Sequence, residues 1–406
     1  MMWQKVKDKL EEYLVSTYSK NTSRDPRLWV FGEWYGKRAN DNSCFLLNYI
    51  VEHNKNNKLK LIWIADSDAD LHLVNKEVTF VQRDSDVAKK ILLSAGVAVV
   101  NEDIKDFSSQ RLNYVRGSIF IDLWHGIAWK HIFYDDNNYS RLKRPIAYMD
   151  SHFNNAEYWV APSVDMKDIL IKANFVKPEN IIKTGYPRNS CFYNKDKLSQ
   201  LRCNLIKKIG ANNSAKIIAY MPTFRDDGDV VFSFNSLAED KKFSSWLEDN
   251  DIYIIQKAHF VNEEKHHLTG IQTDKSNSRI INDNDIAAFE LMGASDMLVT
   301  DYSSCFFDYL ILDRPIVHFI YDYDKYVHQD RGVYYTADEV CCGDAVRTVE
   351  ELKAALAANI ANPDKNKELR KQRRERFINF ENDHSCEDIY KFIVAKVKEE
   401  YGVNLS

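Results

Sequence analysis

The chain has 406 residues, a formal net charge of −5 and seven cysteines. The acidic balance argues against a general nucleic-acid binder, which needs a basic surface excess. An odd cysteine count without a CxxC pair excludes a disulfide framework and fits free thiols in a reducing cytosol.

Residues 1–25 hold an amphipathic helix with Trp3, Val6, Leu10, Tyr13 and Leu14 on one stripe and Lys5, Lys7 and Lys9 beside it. Such a helix either packs on the body or lies on a membrane surface. The start lacks the apolar core of a secretory leader, and the longest apolar run, "ILLSAGVAVV" at 91–100, is too short to span a bilayer. A cytosolic protein is expected, peripheral at the inner membrane face if it works at a membrane.

From Leu28 onward, strand-like runs alternate with helical patterns. The strands are read at 28–32, 60–66, 78–82, 96–102, 118–124, 158–163 and 181–187, and helices at 42–54 and 85–96. Near-continuous apolar strands between helices indicate a parallel sheet covered on both faces. A polar helical stretch at 194–216 interrupts the pattern. It restarts at 217–223, 252–259, 278–282, 297–304 and 315–322. The expected architecture is α/β, with two doubly wound domains at 26–193 and 194–378 facing a cleft. Ligands of such sheets bind outside the carboxyl ends of the strands. The tail is helical and charged. Its run "KELRKQRRERF" (367–377) is a solvated face or a contact for anionic lipid or a phosphate polymer.

Four motifs sit at strand ends. In "WHGIAWK", His125 follows a buried strand and precedes Gly126, where a histidine can act as general base and glycine allows close backbone approach. Lys130 follows as a cation. In "MPTFRDDG", Pro222 and Thr223 end a strand and Arg225 projects from the next loop, suited to phosphate or carboxylate. In "IIQKAHF", Lys257 and His259 alternate and point to one face. In "DMLVTDYSSCFFDYLILDRPIV", Asp301, Tyr302, Ser303 and Ser304 lead from a strand into a helix, a phosphate-binding arrangement without a Walker lysine and equally a plain N-cap. No zinc spacing, nucleophile elbow, kinase set or dinucleotide fingerprint is present.

The order of "WHGIAWK", "APSVDMKDILIKANFV", "IIKTGYPRNSCFY", "IAYMPTFRDD", "QKAHF", "LVTDYSSCFFDYLILDRPIVHFIYD" and "RGVYYTADE" resembles the CDP-glycerol:glycerophosphate glycerophosphotransferases, over residues 28–395. That family makes teichoic acids and teichoic-like capsules. The resemblance implies a GT-B-like fold with an acceptor domain at 26–193, a CDP-alditol domain at 194–378, and a helix at 379–406 returning to the first domain. It implies transfer of glycerol phosphate, or ribitol phosphate as the alternative, from a CDP-alditol to a hydroxyl, with release of CMP. His125 maps to the family's base, and His259 is the second catalytic candidate. Arg225, Lys257, Pro222, Thr223, Asp301, Tyr302, Ser303 and Ser304 are expected on the donor. Gly126, Lys130 and Gly36, the last within "FGEWYGKRANDN", are expected on the acceptor side. The expected acceptor is lipid-linked, an oligosaccharide or the polymer; an anionic membrane surface is the further candidate partner. No cofactor is required and no metal site is expected, although Asp226, Asp227 and Asp301 leave room for Mg2+. Ala128 stands where the family commonly has proline, and "CCGD" and "NDHSCEDIYKFI" depart from its late motifs. A nucleotide-sugar glycosyltransferase and a non-catalytic module for anionic glycans are the competing readings; oligomeric state is left open.

Overall fold

A computed structural model describes residues 2–54, 58–136, 144–223, 232–257, 271–273, 277–329 and 332–405. The first sheet comprises β1 (Asp25–Phe31), β2 (Lys60–Ala65), β3 (Thr79–Gln82), β4 (Ala95–Val100), β5 (Ile119–Asp122), β6 (Tyr158–Ala161) and β7 (Ile181–Lys183). They lie in the order β3-β2-β1-β4-β5-β6-β7, and all pairs are parallel. The second sheet comprises β8 (Lys216–Met221), β9 (Ile252–Gln256), β10 (Ile271–Thr273), β11 (Ile280–Asp283), β12 (Met297–Thr300), β13 (Ile316–Phe319) and β14 (Asp344–Val346). Its order is β10-β11-β9-β8-β12-β13-β14, parallel except for the β10–β11 pair. Each sheet therefore carries the doubly wound order, in which the first strand is flanked by the second and by the one that begins the return half. This is the two-sheet, GT-B-like architecture.

Strand alternation explains how the two halves join. Along β8, Ile217, Ala219 and Met221 belong to the apolar core that also contains Trp29, Leu123 and Trp129 of the first half. Ile218 and Tyr220 point the other way, into a separate core with Phe234, Ile254 and Val317. One face of the second sheet thus shares a continuous core with the first half, since successive side chains of a strand face opposite sides.

The helix Ser385–Tyr401 lies against the first sheet. Phe392 packs on Tyr158 at 5.1 Å, and the Tyr401 hydroxyl donates to the Gly96 carbonyl at 3.0 Å. The charged tail is two helices, Val349–Ala361 and Lys367–Phe377. The arginines of the second are spent inside the molecule. Arg370 is buried and bonds Asp313 at 3.0 Å; Arg373 donates to the Cys341 and Asp338 carbonyls; Arg376 bonds Asp165 at 3.1 Å. This basic run thus braces the fold through its arginines, while Lys367, Glu368, Lys371, Gln372 and Glu375 keep the solvated face expected from sequence.

The helix Met2–Lys20 corrects the expected stripe. Tyr13 packs on Phe153 at 4.6 Å, while Leu10 and Leu14 face solvent with Tyr18, each over half exposed. The inward side instead carries Glu12, Ser16 and Ser19, all buried. Ser16 donates to the Phe153 carbonyl at 2.9 Å, Asn154 donates to Glu12 at 3.1 Å, and Lys9 pairs with Asp150. The side chains of Trp3, Lys5 and Val6 lie outside the described part.

Candidate active site

The carboxyl ends of β1 and β4 mark the switch point of the first sheet, and those of β8 and β12 mark that of the second. Open α/β sheets bind ligands there. Trp34 follows β1, Glu102 follows β4, and His125 stands three residues past β5. Pro222 follows β8, Lys257 follows β9, and Ser303 and Ser304 follow β12. All of these except Glu102 line one cleft of about 180 Å³, together with Arg188.

His125 is about one-third exposed, and its Nδ1 lies 3.9 Å from Glu102 Oε1. The Trp124 and Trp34 rings flank it, with centroids at 4.1 and 6.0 Å. Both tryptophans sit in the left-handed backbone region, Trp34 at φ 46° and Trp124 at φ 56°, as does Tyr35 at φ 53°. Each such residue costs about 1–3 kcal/mol unless its surroundings hold it. Buried carboxyl groups do the holding. Glu102 accepts from the Trp34 amide at 2.5 Å, Asp106 from the Tyr35 amide at 2.8 Å, and Asp122 from the Trp124 amide at 2.8 Å. Burial, then Asp106 and Asp41, hold the Glu102 carboxyl well above its ordinary range. Burial also pushes Asp106 up to about 6. Beneath the histidine lies a pair of buried acids, Glu102 and Asp106, whose charge burial opposes.

Arg188, within "GYPRN", is a residue that the sequence reading misses. It is buried and joins the two halves. Its guanidinium bonds Asp41 at 2.6 Å, Asp308 at 2.7 Å and the His125 carbonyl at 3.0 Å. Burial opposes its charge, but Asp308 and Asp41 outweigh burial and hold it charged. Asp41 caps the helix Asn42–His53, and Asp308 lies in the helix Cys305–Tyr309, directly after the two serines. The sequence signal was the same as at "MPTFR": a strand, a proline, then an arginine.

The expected donor residues divide. Pro222, Lys257, Ser303 and Ser304 line the cleft. Lys257 Nζ donates to the Asn284 carbonyl at 2.7 Å. Asp301 and Tyr302 turn inward instead. Asp301 is buried and accepts from the Thr223 amide at 2.8 Å and the Tyr302 amide at 2.6 Å, tying the turn after β12 to the end of β8. Tyr302 is buried, stacks on Tyr326 at 3.6 Å and donates to Asp322 at 2.8 Å. Thr223 is buried behind Pro222. The helix after the serines has only five residues before it tightens into the turn Leu310–Leu312, so its dipole is small. Arg225 and His259, with Asp226 and Asp227, lie outside the described residues.

On the acceptor side, Gly126 abuts the second half: a Cβ there would stand 2.6 Å from Ser304 Oγ. Gly36, at φ +77°, packs on the Arg83 side chain rather than on the cleft wall. Lys130 is not among the cleft residues; its backbone bridges Val333 and its ammonium lies 5.7 Å from the Tyr326 ring centre. Among the described residues no group of three or more His, Cys, Asp or Glu side chains is placed to hold a metal ion.

The family model described as CDP-Glycerol:Poly(glycerophosphate) glycerophosphotransferase matches residues 15–395. The chain belongs to this family. It is 26% identical over 402 residues to the teichoic acid glycerol-phosphate transferase of Staphylococcus aureus, covering 94% of this chain and 98% of that one. It is 26% identical over 343 residues to a teichoic acid poly(glycerol phosphate) polymerase of Bacillus spizizenii, covering 82% and 84%. The solved structure of the wall teichoic acid polymerase TagF superposes with a TM-score of 0.78 at 24% identity, over 98% of this chain and 96% of that one. That likeness bears on the fold.

Proposed function

We propose that the protein transfers glycerol phosphate from CDP-glycerol to a hydroxyl of a teichoic-acid-type acceptor and releases CMP. The observation that carries this reading is the meeting of both switch points at one cleft, where His125 faces Lys257, Ser303 and Ser304. The acceptor oxygen attacks the β-phosphorus, which bears the glycerol. The bond from that phosphorus to the bridging oxygen breaks, and CMP leaves with its electron pair. His125 takes the acceptor proton, a contribution of typically ~10²–10⁴ in rate. The acid pair at Glu102 and Asp106 lies where it can stabilise the imidazolium so formed. Lys257 and the two serine hydroxyls stabilise charge on the diphosphate, and being fixed in advance they need no reorganisation. Arg225 and His259 join them on the family resemblance. Glycerol is favoured over ribitol because the relatives matched over most of the chain are glycerol-phosphate enzymes.

The acceptor in this reading is carried at a membrane face. The helix Met2–Lys20 supports it: Glu12, Ser16 and Ser19 are buried while Leu10, Leu14 and Tyr18 are exposed beside Lys7, Glu11 and Lys20, a mixed apolar and charged surface that suits an interfacial helix. Tyr148 and Met149, on the helix Arg144–Asn154, are exposed apolar residues as well. Among the described residues no helix is long and apolar enough to cross a bilayer.

The test pairs CDP-glycerol, CDP-ribitol and a UDP-sugar with synthetic lipid-linked acceptors, read by mass spectrometry. The reading predicts products heavier by whole glycerol-phosphate units, joined by phosphodiester bonds. Turnover with the UDP-sugar alone, giving a glycoside, would overturn it.

A further inference from the structure

A second cavity, of about 370 Å³, opens at the opposite edge of the first sheet, by the amino-terminal ends of β5, β6 and β7. Its volume lies within the range of ligand pockets. Lys20, Arg116 and Lys177 lie on its wall, and Glu157 is the one carboxylate among its lining residues. Among the described residues none of the three cations makes an ion pair. Lys177 precedes the amino end of the turn Pro178–Asn180, where a cation gains nothing; Lys20 stands in the last turn of its helix, where a cation complements the dipole. Arg116 has no such reason. It is partly buried ahead of β5, where its guanidinium donates to Ser16 at 3.2 Å and covers the Phe153 ring. Burial lowers its pKa, the mark of a charge lacking a counter-ion. His152, also on the wall, is lowered by burial and then by Arg116, Lys20 and Lys177, so the wall has a positive potential.

The second observation is Asn174. It lines the cavity, is 3% exposed, and accepts from Asn155 at 2.8 Å, yet its Nδ2 donor has no partner. A buried donor left unmade costs about 1–3 kcal/mol, and an acceptor bound in the cavity would satisfy it. We propose that this cavity is an anion site for a phosphate ester, recognised by Arg116, Lys20, Lys177 and the Asn174 amide. The source is a phospholipid headgroup, because Tyr148 lines the cavity and is itself 60% exposed, beside the exposed Met149. Only the choice of source rests on the membrane-face reading; the site itself does not.

The test uses the full chain with two probes, glycerol 3-phosphate by calorimetry and vesicles of phosphatidylcholine with or without phosphatidylglycerol by flotation. Lys20→Gln and Lys177→Gln should each weaken binding to the anionic vesicles about fivefold, the equivalent of ~1 kcal/mol per basic residue. Lys207→Gln, on an exposed helix of the other half, should not. Arg116→Lys and Asn174→Ala keep the net charge, so diffuse attraction to an anionic surface does not respond to them. They should weaken both probes at least threefold, while CMP release on a water-soluble acceptor and the melting temperature stay near wild type. If Asn174→Ala melts early, Arg116→Lys alone decides. Loss toward glycerol 3-phosphate with unchanged flotation would uphold the site, assign it to a soluble phosphate ester, and count against a lipid source. Flotation that responds to the lysines but not to the charge-preserving variants would overturn the site and leave the membrane-face reading standing.

Discussion

Replacing Arg188 by methionine should be among the most damaging single changes to this protein. Its guanidinium is shared between Asp41 at 2.6 Å and Asp308 at 2.7 Å, and all three residues are buried. Removing one partner of a buried pair costs about 3–5 kcal/mol, because the other charge stays behind uncompensated. Here two carboxylates are left, so Arg188→Met should cost at least about 3 kcal/mol. Urea titration followed by the buried tryptophans Trp29, Trp63, Trp129 and Trp159 reads the loss. Asp308→Asn placed in the Arg188→Met chain removes one stranded charge and should recover about 1 kcal/mol or more, a non-additive coupling. The same change frees the His125 carbonyl and the helix behind Ser304, so turnover should fall with it. A cost below about 1 kcal/mol, or strict additivity of the two changes, would refute the view that this network fixes the two halves.

Glu381 is a second buried acid, pushed up to about 8, chiefly by desolvation. Its folded value lies above its unfolded one, so its contribution to stability is complete below about 4.5 and is lost as pH rises through about 8. Glu381→Gln should flatten that decline, by up to about 1.4 kcal/mol per pH unit, and should be the more stable chain at pH 9; parallel melting curves across pH 5–9 would count against it. Lys257→Ala and Ser303→Ala should each weaken CDP-glycerol binding about tenfold and leave cytidine binding unchanged, as charge-assisted and hydroxyl contacts to a diphosphate require; equal losses toward both ligands would place these residues elsewhere. Leu10→Gln with Leu14→Gln should abolish vesicle flotation without lowering the melting temperature, since both side chains are exposed; a lower melting point would show that the helix needs them for packing.

Much of the fold was legible because buried parallel strands read as unbroken apolar runs. β4, Ala95–Val100, is buried at all six positions. β10 and β14 escaped notice: each has three residues at a sheet edge, too few to show a period. The tail read as one helical stretch but breaks near Pro363. The cleft was legible where single strand ends line it, as at His125, Lys257 and Ser303. It was not legible where topology does the joining. β1 and β4 are neighbours in the sheet although their ends are about seventy residues apart in the chain, so Glu102 holding the Trp34 loop leaves no local signal. Asp301 and Tyr302 are expected on the donor through the family resemblance, which carries no information on where a side chain of this turn points. Here the turn folds back, and the Asp301 carboxylate serves the backbone of Thr223 and Tyr302.

On the proposed reading, this cleft performs phosphoryl transfer with His125 as its base. The most direct measurement is the steady-state release of CMP from CDP-glycerol by wild type and His125→Ala, beside donor affinity by calorimetry. For His125→Ala, kcat should fall by at least about 10² with donor affinity nearly unchanged, because the histidine acts on the acceptor proton rather than on the diphosphate. A His125→Ala enzyme that turns over near the wild-type rate would contradict it.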